Sequence, residues 1–345
     1  MNPDISISPA SSVTSEKAPK SMFIAWVPYQ RRSESLAHQL GIDLRYYHYK
    51  WEVKSKFHKA WSYVLKFSKT LGDLFRERPD LVFMQLAPTP VLYASAIYKL
   101  FTGADYIADC HNTMIFDGHW VHWPFAKSLM RKSRMILVHN NDVLIHTEKL
   151  RFNVTVLRDP VPEITVDQTV KEVAGVQVKD EPYIIVPCSF DVDEPIEELF
   201  EACHQCPEIK FMTTWYHERL PQEVKDQAPE NIIFTGFLPE NEFSALYAHA
   251  NGAIVLTTRE GTQPSGASEA LSLHVPLIVS DIETTRGLYG SAAVFVDNNA
   301  ESIAAGAKEA VANFSDYQQK MATLKQAFVK EIGEQINLVR RTLGL

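Results

Sequence analysis

Residues Arg259 to Glu269 read REGTQPSGASE, and an apolar run, Pro276 to Ser280, follows shortly after. Two carboxylates, one arginine and a turn of small residues sit just ahead of an apparent helix. A helix start carries unpaired backbone N–H groups and a partial positive charge, so it suits an anion. Ser265, Gly266, Ala267 and Ser268 are small enough to let an anion approach the backbone. Glu269, placed inside the first turn, either complements the helix dipole or accepts hydrogen bonds from a ligand. Glu260 is either solvated or turned toward the same ligand. In Tyr29-Gln-Arg-Arg-Ser-Glu34, Arg31 and Arg32 offer guanidinium groups to an anionic partner. His111 ends the run Asp109-Cys-His-Asn112 and is either a satisfied structural histidine or a reactive one. Cys203 and Cys206 have CxxC spacing, but no second pair follows, so two semi-buried helix cysteines are favoured over a zinc or redox site.

Groups so far apart in the chain must be brought together by a fold. The chain has 345 residues, enough for two domains at roughly 100–200 residues each. Hydrophobic content of 46% and charged content of 22% are ordinary for a globular protein. A net charge of −8 argues against general nucleic-acid binding, and four cysteines make no secreted disulfide framework. No run of about 18 apolar residues is present to span a bilayer. Residues 1–21, rich in Ser, Pro and charge, are expected to form a disordered tail.

Beyond the tail, short apolar runs alternate with longer helical patterns. Strands are expected at 22–27, 44–49, 81–85, 105–109, 135–139 and 154–157, then at 183–187, 209–214, 231–234, 253–256, 276–280 and 293–296. These runs are continuous rather than alternating, as in parallel strands covered on both faces. Two series of βα units predict an α/β fold of two doubly wound domains, 22–158 and 159–329. The prolines at 160 and 162 and a polar stretch to Glu181 suit a linker. The last helix, about 330–345, is expected to pack back on the first domain. A cleft should lie at the carboxyl ends of both sheets. Neither a G-x-G-x-x-G after a strand nor a G-x-x-x-x-G-K-[ST] occurs, which removes the usual dinucleotide and P-loop readings.

Several stretches resemble the donor domain of a GT-B glycosyltransferase, most like family 4 of the glycosyltransferase classification. They are Asn231-Ile-Ile-Phe-Thr-Gly-Phe-Leu238, Leu246-Tyr-Ala-His-Ala250, Glu260 to Asp281, and Val156-Leu-Arg-Asp-Pro-Val161. The resemblance is loose from about residue 22 to the end and sharp from 231 to 281. It implies a GT-B architecture and a retaining transfer of a hexose-type sugar from a UDP- or GDP-linked donor to an acceptor hydroxyl. The acceptor class it implies is a lipid-linked or cell-surface glycan. Glu269 matches the glutamate that holds the ribose, and Glu260 the one near the transferred sugar. His111 matches a histidine near the donor sugar and the acceptor, with Asn112 holding its ring or contacting sugar hydroxyls. Gly236 and Phe237 fall near the base, and Trp215 either stacks on that base or packs at the cleft edge.

The departures from the family pattern carry information too. Eight residues separate Glu260 from Glu269, whereas the family's pair is one residue closer, so Glu260 is displaced in the pattern. The usual Arg and Lys after the first donor-domain strand are replaced by Cys188-Ser-Phe-Asp-Val-Asp-Glu194, which has three acids and no base. Arg259, Arg31 and Arg32 are then the groups left to neutralise a diphosphate. No Asp-x-Asp ends an expected strand and no His/Cys cluster has ligand spacing, so the expected chemistry uses neither metal nor cofactor. Two other classes compete: a catalytically silent GT-B homologue binding sugar or a partner enzyme, and a nucleotide-dependent enzyme such as an epimerase.

One further stretch points outward. Residues 50–69 carry six lysines and one glutamate, with Phe57, Trp61, Val64 and Leu65 at helical spacing. This pattern predicts docking of the first domain on an anionic membrane surface; an ordinary amphipathic helix packed on the sheet is the alternative. A cytoplasmic protein, peripheral on the inner face of the membrane, is the corresponding expectation.

Overall fold

A computed structural model describes residues 18–115, 119–148, 150–214, 216, 218, 220–261 and 263–345. The first domain holds strands β1 (Ser21–Ala25), β2 (Asp43–Tyr46), β3 (Leu81–Leu86), β4 (Asp105–Cys110), β5 (Met135–Val138) and β6 (Val154–Val156). After a small hairpin, β7 (Glu172–Val173) with β8 (Val176–Gln177), come β9 (Tyr183–Pro187), β10 (Lys210–Thr214), β11 (Ile232–Gly236), β12 (Gly252–Val255), β13 (Leu277–Ser280) and β14 (Ala293–Val296). The two large sheets have the orders β2-β1-β3-β4-β5-β6 and β11-β10-β9-β12-β13-β14. Their pairings are parallel, with registers such as Leu81↔Asp105 and Ala253↔Leu277.

The continuous apolar runs form strands because each strand is covered on both faces. Along β1, Phe23 joins one buried cluster while Met22 and Ile24 join another. Along β9, Tyr183 and Ile185 face one core and Ile184 and Val186 the other. Two-sided burial leaves no place for alternating polar residues. All twelve expected strands are present, two with the expected bounds and the rest shifted at their ends by one to three residues.

Two local expectations are corrected. The stretch read as a linker contains the β7–β8 hairpin, with Val173, Val176 and Val178 buried; three valines are too short a pattern to show periodicity. The end of the presumed tail is tied down: Lys20 N donates to Asp80 Oδ2 at 2.9 Å, and Ser21 opens β1. Residues 1–17 lie outside the described residues.

The C-terminal helix Phe314–Leu343 joins the domains. Met321, Phe328, Ile332, Ile336, Val339 and Leu343 make its buried stripe, in one cluster with Phe23 and Leu36 of the first domain and Tyr183 and Leu277 of the second. Arg340 donates to the Gln39 carbonyl at 3.0 Å, and Lys325 to the Ser272 carbonyl at 2.8 Å. This geometry sets the two sheets across a cleft at their carboxyl ends.

Candidate active site in the interdomain cleft

The cleft has a volume of about 700 Å³. In the second sheet it opens at the carboxyl ends of β9 and β12, where strand order reverses. Such switch points are where doubly wound sheets take ligands. The helix Ser265–Leu273 starts here behind Pro264, which supplies no side-chain cap for the first-turn amides. Pro264, Ser265, Gly266 and Glu269 line the wall. A Cβ on Gly266 would sit 2.7 Å from Pro187 Cγ and 3.2 Å from Val255 Cγ2. The glycine is therefore required by the seat of the helix on the strand ends. Ala267 is buried in the core, and Ser268 accepts from Gln263 Nε2 at 3.0 Å. The small-residue run thus serves two directions, with Ser265 and Gly266 facing the cleft and Ala267 the core.

Glu269 is the fifth residue of this helix, just past the first turn expected from the sequence, and only 7% exposed. Its Oε1 accepts from Arg31 Nη1 of the first domain at 3.1 Å, across the cleft. Burial pushes the Glu269 carboxyl above its ordinary range, and the charge and hydrogen bond of Arg31 oppose that rise. Arg31 begins the helix Arg31–Leu40 and is half exposed, so it is available to the cleft.

Arg32 is differently placed, which corrects its assignment to a phosphate. It is buried, and each of its three nitrogens is engaged. Nε and Nη2 hold Asp109 at 2.8–3.2 Å, while Nη1 donates to the Leu157 carbonyl at 2.8 Å and to Asp159. Burial opposes both charges of the Arg32–Asp109 pair, yet their attraction wins. The guanidinium is raised above its usual value and the carboxyl held well below the usual carboxylate range. This arginine fastens β4 to the interdomain crossing.

His111 follows β4, with Nε2 buried 3.5 Å from Asp109 Oδ2 and without a hydrogen bond of good geometry. His139, at the end of β5, is held neutral to lower pH because burial pushes its pKa down. Asn140 beside it donates to the Gly261 carbonyl at 3.3 Å, a second link across the cleft. Gly261 has φ 71, a left-handed turn that suits glycine, and its N–H donates to Thr284 at 2.9 Å. This anchored loop leaves Glu260 exposed and outside the cleft lining. Arg259 does line the cleft, 3.7 Å from Asp193, whose carboxylate also accepts from Thr257 at 3.0 Å.

At the end of β11, Gly236 has φ 70 and turns the chain so that Phe237 lines the cleft. Phe237 stacks on Tyr216, with centroids 5.3 Å apart and planes 6° apart. Trp215 and the side chain of Asn112 lie outside the described residues.

Residues 219–326 match the family model "Glycosyl transferases group 1". The fold is that of the GT-B glycosyltransferases. A sucrose-phosphate synthase from Thermosynechococcus elongatus superposes with a TM-score of 0.71 at 11% identity, over 94% of this chain and 99% of that one. Anabaena HepE, in complex with UDP and glucose, gives 0.67 at 12% identity over 94% and 99%. A glycosyltransferase from Rickettsia africae gives 0.66 at 12% identity over 94% and 98%. No curated protein matches the sequence. The chain is a GT-B-fold protein whose residues 219–326 are similar to the group 1 glycosyl transferases.

Within this GT-B cleft some contributors were not singled out from sequence. Tyr29, Thr214 and Glu240 line it, Tyr216 stacks on the Phe237 that does, and Asn140 bridges it. Asn140 and Tyr29 lie on strand-end loops, which was their only sequence signal. The turn after β9 brings Asp191, Asp193 and Glu194 to the wall as well. Among the described residues the bases lining the cleft are thus Arg31 of the first domain and Arg259 of the second, facing a wall richer in acids.

Proposed function

We propose that the chain is a retaining glycosyltransferase moving a hexose-type sugar from a UDP- or GDP-linked donor to an acceptor hydroxyl. The observation that carries this reading is Glu269, buried at the start of a helix with uncapped amides and paired across the cleft with Arg31. A ribose diol would take the Glu269 carboxylate as hydrogen-bond acceptor. Arg31, released from it, would then face the diphosphate together with Arg259 and the first-turn amides of Ser265–Leu273. In the transfer, the bond from the anomeric carbon to the diphosphate oxygen breaks, its electrons staying on that oxygen. The acceptor hydroxyl oxygen bonds to the same face of the sugar and its proton passes to the leaving phosphate. Fixed donors aimed at this developing charge would supply most of the rate enhancement. The UDP and glucose in the HepE complex support a nucleotide-sugar donor.

Calorimetric titration with UDP and GDP tests the reading, followed by assay of sugar transfer. Failure of every nucleoside diphosphate to bind would overturn it. Binding without turnover on any acceptor would favour the silent homologue.

The acceptor side of the proposal is a lipid-linked glycan at an anionic membrane. No described helix is long and apolar enough to cross a bilayer. The helix Lys56–Glu77 buries Ser62, Lys66, Thr70, Asp73 and Leu74, and leaves Phe57, Trp61 and Val64 exposed by 77%, 53% and 51%. Its apolar stripe thus faces solvent rather than the sheet. Exposed Lys54, Lys56 and Lys59 flank that stripe. Tyr63 contacts Trp120, and Trp120 contacts Trp123, carrying aromatic surface on toward exposed Phe125. Aromatic groups at headgroup level and lysines worth about 1 kcal/mol each near an anionic surface favour docking there. Co-sedimentation with anionic vesicles at low salt, lost on combined Lys54, Lys56 and Lys59→Glu substitution, is the expected result.

A further inference from the structure

The turn after β9 is shaped to hold an anion, and it holds one of its own. Ser189 N donates to both carboxylate oxygens of Glu194, at 3.1 and 3.0 Å. Asp191 N donates to Oε2 at 3.0 Å, and the Ser189 hydroxyl to Oε1 at 3.2 Å. Phe190 between them has φ 57, a left-handed conformation uncommon for a residue with a side chain. Successive amides turned inward by such a residue make a concave anion site of the kind used for phosphates. The turn stands on the wall of the cleft at the switch point between β9 and β12. None of these hydrogen-bond partners of Glu194 is a cation. Burial drives the Glu194 carboxyl up, and the hydrogen bonds only partly offset that rise.

A diphosphate entering this end of the cleft needs the same donors. It also meets the carboxylate as a like charge, with Asp191 and Asp193 alongside. Ligand and Glu194 cannot both occupy the turn. We propose that Glu194 is an intramolecular competitor for the amides of the 189–191 turn, so that its carboxylate limits how tightly the cleft takes the diphosphate of a donor. This rests on the nucleotide-sugar reading above and adds a specificity-setting residue to it. A diphosphate that displaces Glu194 gains the turn's amides; one that does not is held only by the helix start, Arg31 and Arg259.

The experiment compares inorganic pyrophosphate, UDP, GDP and the free nucleosides on the intact protein and on two variants, by calorimetry. Glu194→Ala opens the turn and should raise pyrophosphate affinity about tenfold or more, since hydrogen bonds to a charged ligand replace those to the carboxylate. Diphosphate nucleotides should gain in the same direction, and free nucleosides should not change. Glu194→Gln keeps the size and one acceptor oxygen but removes the charge, so a smaller gain is expected; it also decides the matter if the alanine variant does not fold. Unchanged or weaker pyrophosphate binding by the folded variants would overturn the proposal and make Glu194 a closure of its own turn. If no nucleotide binds any form, the donor reading falls, while the pyrophosphate comparison still decides the role of Glu194.

Discussion

Arg31 and Arg32 are neighbours in sequence and belong to different systems. Arg31 is half exposed and reaches Glu269 across the cleft, whereas Arg32 is spent on Asp109, Asp159 and a carbonyl. Adjacent residues at a helix start point in different directions, and sequence alone does not say which faces the cleft. Arg32→Met should leave the Asp109 charge buried without its partner and cost about 3–5 kcal/mol, read from urea unfolding at pH 7. Adding Asp109→Asn should recover part of that loss; no recovery would break the pairing argument. Asp109 has its folded value below the ordinary carboxylate value, so its contribution is full above about pH 3.9 and fades only as pH falls below it. Glu269→Gln removes a charged acceptor at nearly constant shape and should cost roughly 1.5–3 kcal/mol of nucleotide affinity. Because Arg31 opposes the burial-driven rise at Glu269, Arg31→Ala should raise that carboxyl further. The charged acceptor is then lost at a higher pH on acidification. The acid limb of nucleotide binding should move up in Arg31→Ala and lose this component in Glu269→Gln, with the ligand's own titration common to all three.

Strand positions were legible because two-sided burial writes itself as unbroken apolar runs, as in LVFMQL of β3. The face of the helix Lys56–Glu77 was not legible to the same degree. Periodicity gives a stripe but not what covers it, and here the sheet side is polar. Trp26 Nε1 donates to Thr70 at 3.1 Å, Tyr47 donates to Asp73 at 2.7 Å, and Lys66 pairs with Glu52 at 2.6 Å. A helix seated through such bonds can leave its aromatic stripe in water. Phe57→Ser with Trp61→Ser should therefore change stability by no more than about 0.5 kcal/mol per site while weakening binding to anionic vesicles. A large fall in thermal stability would mean that the stripe is packed. The helix Ser265–Leu273 gives the opposite case. Its small residues were visible, but the packing demand on Gly266 came only from Pro187 and Val255 overhead. The turn after β9 was read as acids without a base; its amides closing on Glu194 depend on the left-handed Phe190, which no residue type announces.

At the scale of the whole molecule the cleft is fixed by what crosses it and by what straps it from behind. Arg31–Glu269 and Asn140–Gly261 cross it. The C-terminal helix straps the domains, pairing Arg158 with Glu331 at 2.9 Å and taking a hydrogen bond from Arg134 to the Thr342 carbonyl at 2.9 Å. Its last turns bury Val339 and Leu343 against the first domain's side of the shared cluster. The first domain therefore completes its core with residues that follow the second domain in sequence, and its stability should depend on them. Leu343→Ala removes a 2%-exposed side chain and should cost about 2–5 kcal/mol. Five of the six tryptophans, Trp26, Trp51, Trp61, Trp120 and Trp123, lie in the first domain, so fluorescence reports its unfolding selectively. The fluorescence transition in urea should move to lower concentration in Leu343→Ala, by an amount matching that cost. An unmoved transition would mean that Leu343 does not complete the first domain's core.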